Sequence, residues 1–207
     1  MAGHDLGEGT RLAAQQGAWI CFEDEAGQTL RPPRARTWGR RGHTPVVGVS
    51  GRGSGRISMA GLLAYRAGQR PHLYYRLVVH RGRRGERRSL SEADYAALLC
   101  AAHQQLHAPI VLIWDNLNTH VSGRMRAFVA AHADWLTVVR LPAYAPELNA
   151  TEGAWSCLKR GLGNCAATGL DQLVGLVRAR LKRLQYRPDL LEGFLGQTGL
   201  ILQPGPP

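Results

Sequence analysis

Apolar residues in this chain gather into short runs divided by polar, Gly- and Pro-bearing stretches, and their period changes from run to run. Ala18-Trp-Ile-Cys-Phe22 and Ile110-Val-Leu-Ile-Trp114 are uninterrupted. Runs of that length predict strands, the second of a kind covered on both faces. Val46-Val-Gly-Val49, Ile57–Tyr65, His72–Val79 and Leu136–Leu141 predict further strands, with Gly51-Arg-Gly-Ser-Gly55 as a turn. Helical spacing governs four other stretches: Ser89 towards His107, Ser122 to Ala133, Asn149 through Trp155 and Leu158, and about Leu170 to Gln185. The first segment, 1–17, is polar and Gly-containing and reads as flexible; 188–207 reads as a short helix and a frayed tail. The early strands suit an antiparallel meander and the later ones β–α–β steps. The expectation is an α/β domain over 18–187, with a mixed central sheet (antiparallel meander plus parallel strands) flanked by helices.

Length and charge narrow the picture. The 207 residues suffice for one substantial domain. No signal-peptide core precedes Gln16 and no apolar run approaches membrane-spanning length, so a cytoplasmic chain with no membrane partner is expected. Cys21, Cys100, Cys157 and Cys165 form no CxxC pair and read as reduced thiols. The formal net charge is +11 and the pI about 10.4, with Arg far outnumbering Lys. That balance suits a polyanion, nucleic acid first, because guanidinium forks match phosphate oxygens. Base composition of the genome accounts for the same Arg excess equally well.

Two stretches concentrate the basic residues. The loop-like 26–45 carries Arg31, Arg34, Arg36, Arg40 and Arg41 around Trp38, and 81–88 holds five Arg, Arg83 and Arg84 among them. Basic residues interleaved with an aromatic suit a nucleic-acid contact. A hairpin with Trp38 packed on the core is the equal alternative. Lys159 and Arg160 close the helix that begins at Asn149, and a basic face runs along 170–185.

Carboxylates mark the ends of the predicted strands. Glu23-Asp24-Glu25 follows the first apolar run, and alternation puts Asp24 on one face and its neighbours on the other. Asp115 follows the second run, with Asn116 and His120 behind it. Glu152 stands three residues after Asn149, a capping-box spacing that fixes it in the first turn of a helix. Ser89 and Glu92 repeat that spacing with no carboxylates near, and read as structural. Mg²⁺ takes hard oxygen ligands, and two such ions on shared carboxylates can drive phosphodiester cleavage. Taken singly, Asp24 reads more readily as part of an acidic loop, Asp115 as a turn residue and Glu152 as a cap.

Asp24-Glu25 after an apolar strand, Arg36-Thr-Trp-Gly39 followed by Gly42, Ile113-Trp-Asp-Asn-Leu-Asn-Thr-His120, and Leu141-Pro-Ala-Tyr-Ala-Pro-Glu-Leu-Asn-Ala-Thr-Glu152 with Trp155 and Lys159 occur in that order. Together they resemble the DDE transposases of the mariner superfamily, in its bacterial insertion-sequence branch, over about residues 18–185. Thirty-six residues separate Asp115 from Glu152, close to that family's separation. The resemblance implies a ribonuclease H-like fold, two Mg²⁺ or Mn²⁺ ions on Asp24, Asp115 and Glu152, and cutting of element ends with strand transfer into a TA target. It implies supporting roles for Asn116, His120 and Asn149. Glu25 matches as well, and alternation makes it a structural partner rather than a ligand. Duplex DNA, as terminal inverted repeats and target, is the implied partner, bound by a homodimer in a nucleoid-associated setting.

Two departures stand out. Ala150 occupies the place where the family has Pro after the Asn of its third motif. The helix-turn-helix reader of the element ends has no room before Ala18, which suits a catalytic fragment, the downstream half of a split gene with a separately encoded helix-turn-helix half, or a decayed element. The competing functions are a structure-selective nuclease on the same fold and a DNA-binding remnant of a decayed or domesticated element.

Overall fold

The computed structural model describes residues 2–36, 38–46, 48, 55–142 and 145–202. Among these are five strands in one sheet and six α-helices. The strands are β1 (Trp19–Thr29), β2 (Arg56–Tyr65), β3 (His72–His80), β4 (Ile110–Trp114) and β5 (Leu136–Arg140). Their spatial order is β3-β2-β1-β4-β5, with β1 in the middle. β1, β2 and β3 form the expected antiparallel meander, and β4 and β5 run parallel to β1. Val46 and Gly48 are exposed and irregular rather than part of the strand expected at 46–49; Val47, Val49 and residues 50–54 lie outside the described residues.

β1 departs from its expected length. The apolar run ends at Phe22, yet the strand continues through the carboxylates to Thr29 because β2 keeps pairing with it, Asp24 opposite Gly61 and Thr29 opposite Arg56. The acidic triplet is therefore inside the sheet, not at its margin. Alternation then sorts the side chains. Ile20 and Phe22 join Val111 and Ile113 of β4 in one core, whereas Trp19 and Cys21 join Ile110, Leu112 and Trp114 in another.

Helices cover both faces, as a largely parallel half-sheet requires. α2 (Glu92–Leu106) and α3 (Gly123–Ala131) pack on the Cys21 side, through Tyr95, Leu98, Leu99 and Met125. α4 (Ala150–Gly161), α5 (Leu170–Gln185) and α6 (Pro188–Gln197) pack on the Phe22 side, through Trp155, Leu158, Val177, Leu181 and Leu191. The short C-terminal helix is thus part of the core, and the Tyr65 hydroxyl donates to its Leu191 carbonyl at 2.7 Å. The first segment is not a flexible lead-in: α1 (Ala2–Gln15) is a helix that buries Ala13 and packs Leu12 against the same core. Among the described side chains of this helix the attachment is through small residues such as Ala13, which do not declare it in sequence. α2 starts two residues later than Ser89–Glu92 suggests. Ser91 is the cap, and the Asp94 carboxylate accepts from its backbone N–H at 2.9 Å while pairing with Arg87 and Arg76. Of the thiols only Cys21 is buried, and Cys100, Cys157 and Cys165 are half-buried and free.

α4 is seated directly on the sheet. The Thr151 hydroxyl donates to the Phe22 carbonyl at 2.8 Å, inside the core. The Trp155 ring lies over Gly61, so close that a Cβ there would stand 2.8 Å from it. Gly61→Ala is expected to lower stability by about 1–3 kcal/mol through that overlap. Gly175→Ala, on the exposed face of α5 with open space around it, is expected to raise it by about 0.5–1 kcal/mol. Urea unfolding of both variants checks the contrast, and equal effects would refute this packing of α4.

Candidate active site

A cavity of about 390 Å³ opens at the end of β4, lined by Asp24, Asp115, Asn116, Leu117, Leu141, Ala145, Asn149 and Glu152 among others. The carboxylates reach it from three elements. Asp24 points from the middle of β1 toward α4, Asp115 follows the last residue of β4, and Glu152 stands in the first turn of α4. A short 3₁₀ turn, Pro146–Leu148, leads into Asn149, whose side chain caps α4 by accepting from the Thr151 N–H at 3.1 Å. Neither bond of the expected capping box is made, because the cap bond goes to Thr151, one residue before Glu152. Glu152 donates its backbone N–H to the Asn149 carbonyl, but among the described residues its carboxylate has no hydrogen-bond partner. Glu152 is therefore free to serve the cavity, where the helix N-terminus favours its charge.

The three groups stand in different electrostatic states. Burial, then the negative charge of Glu152, pushes the Asp24 carboxyl up to about 7. Asp115 is held below the usual carboxylate range, chiefly by the hydrogen bond from His120, whose Nδ1 lies 2.7 Å from Asp115 Oδ1. The Leu117 N–H donates to the same oxygen at 3.1 Å. The Asn116 amide donates to the Leu141 carbonyl at 3.2 Å, and the Leu141 N–H to the Trp114 carbonyl at 2.7 Å. These bonds tie the end of β4 to the loop that feeds α4.

Behind this shell, on the α2 face, stand the other two carboxylates of the triplet. Glu25 accepts from the Tyr95 hydroxyl, on the face opposite Asp24. Glu23 is wholly buried and accepts from Trp114 Nε1–H at 2.6 Å. Its carboxyl is raised well above the ordinary range by burial and by the charge of Asp24. Sequence reasoning passes over Glu23 because its face-mate Glu25 carries the motif match; the signal present is a third carboxylate within a strand, which needs a partner.

The donors in the cavity are all hard oxygens, the set Mg²⁺ or Mn²⁺ takes. The Asp24 carboxyl is raised first by burial and then by the charge of Glu152, and a cation beside it would favour its ionised form. As the side chains lie, no group of three or more His, Cys, Asp or Glu among the described residues stands close enough to enclose an ion. The fit is thus one of donor chemistry and placement.

The basic candidates fall into two groups. Arg34, Arg36 and Arg40 are exposed on the β1–β2 connection, and Trp38 is 100% exposed, which rules out the core-packed alternative. Asn164, just beyond α4, pins that connection by exchanging side-chain hydrogen bonds with both backbone groups of Ala35. Arg34 and Arg36 are therefore moored beside the end of α4, where Lys159 and Arg160 are also exposed. Arg83 and Arg84 are exposed on a separate connection, between β3 and α2.

The sequence profile described as DDE superfamily endonuclease matches residues 19–173. No curated protein matches the chain by sequence. Among solved structures, the chain is similar to a Mos1 transposase paired-end complex with left transposon end, at 14% identity and a TM-score of 0.60, covering 98% of this chain and 62% of that one. It is similar to the mariner Mos1 paired end complex with Mg, at 14% identity and a TM-score of 0.62, with the same coverage. The Mos1 transposase catalytic domain with Raltegravir and Mg matches at 12% identity and a TM-score of 0.51, covering 98% of this chain and 97% of that one. The likeness establishes the ribonuclease H-like fold expected from the sequence. The chain spans about 62% of the length of the two Mos1 chains in paired-end complexes.

The Asp24 carboxyl gives a pH signature. Folding raises its affinity for the proton, so the unfolded chain loses that proton first as pH rises and the folded state loses stability. With a chelator present, stability is expected to fall across about pH 4 to 7 through Asp24, and Asp24→Asn to flatten the fall. Urea midpoints across that range check it; an unchanged slope in Asp24→Asn would contradict the assignment.

Proposed function

This chain belongs to the DDE superfamily endonuclease family, and on that footing we propose that it is the catalytic domain of a transposase, cutting DNA at element ends and joining them to a target of TA type. The observation that carries the reading is the meeting of Asp24, Asp115 and Glu152, from three separate elements, on one open cavity. These residues hold the divalent ions. Two Mg²⁺ or Mn²⁺ ions, when bound, supply Lewis-acid activation of the attacking water or 3′-hydroxyl and stabilise the leaving 3′ oxygen.

The chain's other residues build and guard that site. His120 orients Asp115 through its Nδ1–H. Asn116 and Asn149 hold the loop that carries Glu152. Glu25 anchors β1 to α2 through Tyr95. Arg34, Arg36, Trp38 and Arg40, with Lys159 and Arg160, contact the duplex near the cavity, and Arg83 and Arg84 contact phosphates from the β3–α2 connection. Synapsis of two ends calls for a homodimer on DNA bearing the terminal inverted repeats. Among the described residues no helix is long and apolar enough to cross a membrane, and a nucleoid-associated, cytoplasmic setting suits the chemistry.

Nicking of supercoiled plasmid in Mn²⁺ tests the reading, with a labelled 3′-hydroxyl oligonucleotide scoring strand transfer. Asp115→Asn and Glu152→Gln are each expected to lower nicking by about a thousandfold, the size of several kcal/mol of lost charge stabilisation. Robust cutting in chelator, or by Asp115→Asn, would overturn the mechanism, and cutting without any joined product would favour a structure-selective nuclease. Independently, Arg83→Ala and Arg84→Ala are each expected to lower the salt slope of duplex binding by about 1. Filter binding between about 50 and 200 mM salt measures it, and an unchanged slope would remove those residues from the interface.

A further inference from the structure

Glu23 is the buried ionisable group that the proposed chemistry leaves unused. It precedes Asp24 and faces away from the cavity, so it is no ligand. Its Oε2 accepts from Trp114 Nε1–H at 2.6 Å and lies 3.3 Å from His120 Nε2. Its Oε1 and the His120 Nε2 are both buried without a hydrogen-bond partner of good geometry among the described residues. The His120 side chain is 2% exposed. Its ring centroid stands 4.0 Å from that of Trp114 and 4.9 Å from that of Tyr95, edge-on. The imidazole is thus clamped on its faces, with one nitrogen toward Asp115 and the other toward Glu23.

The protons can be counted. Asp115 Oδ1 takes a hydrogen bond from His120 only when Nδ1 carries the proton. Facing Glu23, Nε2 either accepts from a protonated carboxyl or donates to an ionised one. The two arrangements hold the same number of protons, and both keep Nδ1–H aimed at Asp115. Which ring nitrogen carries the proton is set by the partner of the other. Both hydrogen bonds to Asp115 go to Oδ1, which leaves Oδ2 unpaired among the described residues.

We propose that Glu23 is a positioning residue: standing against His120 Nε2, it holds the imidazole in place and so the orientation in which Asp115 presents Oδ2 to a divalent cation. This rests on the metal-binding role proposed for Asp115. Loss of a ligand's own hydrogen-bond partner commonly lowers metal affinity by about 10–100-fold, and Glu23 stands directly behind that partner. A side chain that only filled the core would leave the affinity alone.

The test compares wild type, Glu23→Gln and Glu23→Leu in the 207-residue chain. The readouts are ¹⁵N shifts of the imidazoles without metal, with His120 assigned from its lost signal in His120→Gln, and Mn²⁺ titration by calorimetry. In Glu23→Gln the amide oxygen, held by Trp114 Nε1–H in the place of Oε2, keeps a polar atom beside His120 Nε2. The Nδ1–H pattern is expected to persist and Mn²⁺ affinity to stay within about threefold of wild type. In Glu23→Leu the Nε2 shift is expected to move as its polar neighbour is lost, with Nδ1–H still on Asp115, and Mn²⁺ affinity to fall about tenfold, the lower end of that range. Glu23→Met takes the place of Glu23→Leu if the branched side chain prevents folding. The inference is overturned if the apolar variant keeps both the wild-type shifts and the wild-type affinity, or if Glu23→Gln loses as much affinity as the apolar variant. A wild type that binds no Mn²⁺ would refute the metal role of the cavity instead, while the ¹⁵N pattern still decides whether Glu23 governs His120.

Discussion

Three consecutive carboxylates cross the central strand of the sheet, and each has to be given something to face. Backbone pairing to β2 throughout, and to β4 up to Phe22, stops the strand from turning them away. Alternation then divides them, one to the α4 face and two to the α2 face. Unpartnered burial of such groups is costly, so the surroundings on both faces are shaped by them. On the α2 face the answer is polar groups embedded in an aromatic core: Trp114 donates to Glu23, with His120 beside it, and Tyr95 donates to Glu25. On the α4 face Asp24 is instead raised by burial and then by the negative charge of Glu152, which leaves a place suited to a cation.

That second arrangement depends on α4 sitting low on the sheet. Gly61 lets the Trp155 ring close over β2 directly opposite Asp24, and Thr151 ties the helix to β1 two residues before it. The helix start is set by Asn149, so the first turn, and Glu152 with it, is delivered to the cavity rim. The loop before it is held to the end of β4 by Asn116 and Leu141, which brings Asp115 to the same opening. Local capping, a close helix–sheet approach and strand register thus converge on one set of oxygens.

Much of this is legible in the residues, and the failures have physical reasons. The continuous run Ile110–Trp114 is a strand to the residue because burial on both faces leaves no polar position to blur its ends. β1 outruns its apolar signal because its second half is polar; the strand character there comes from pairing with β2, which lies far away in sequence. α1 is hidden because its attachment rests on small residues such as Ala13 rather than a broad apolar stripe. The Asn149–Glu152 spacing places the helix start but not the side chain's task, since a capping box and a free carboxylate look alike in sequence. The same spacing at Ser89–Glu92 misplaces a helix start that Asp94, held by Arg76 and Arg87, settles at Ser91. Asp24 and Asp115 stand out by their places along strands, whereas Glu23 and its line to His120 require the register of β1 against β4.

The most direct test of the account is a crystal structure of the chain grown with Mn²⁺ and measured at an anomalous wavelength. The account predicts a metal peak in the cavity with Asp24 and at least one of Asp115 and Glu152 as ligands, at oxygen distances of roughly 2.0–2.3 Å. A cavity without a peak while Mn²⁺ binds elsewhere, or a peak that leaves Asp24 unliganded, would contradict the claim that these three elements were brought together to hold a metal.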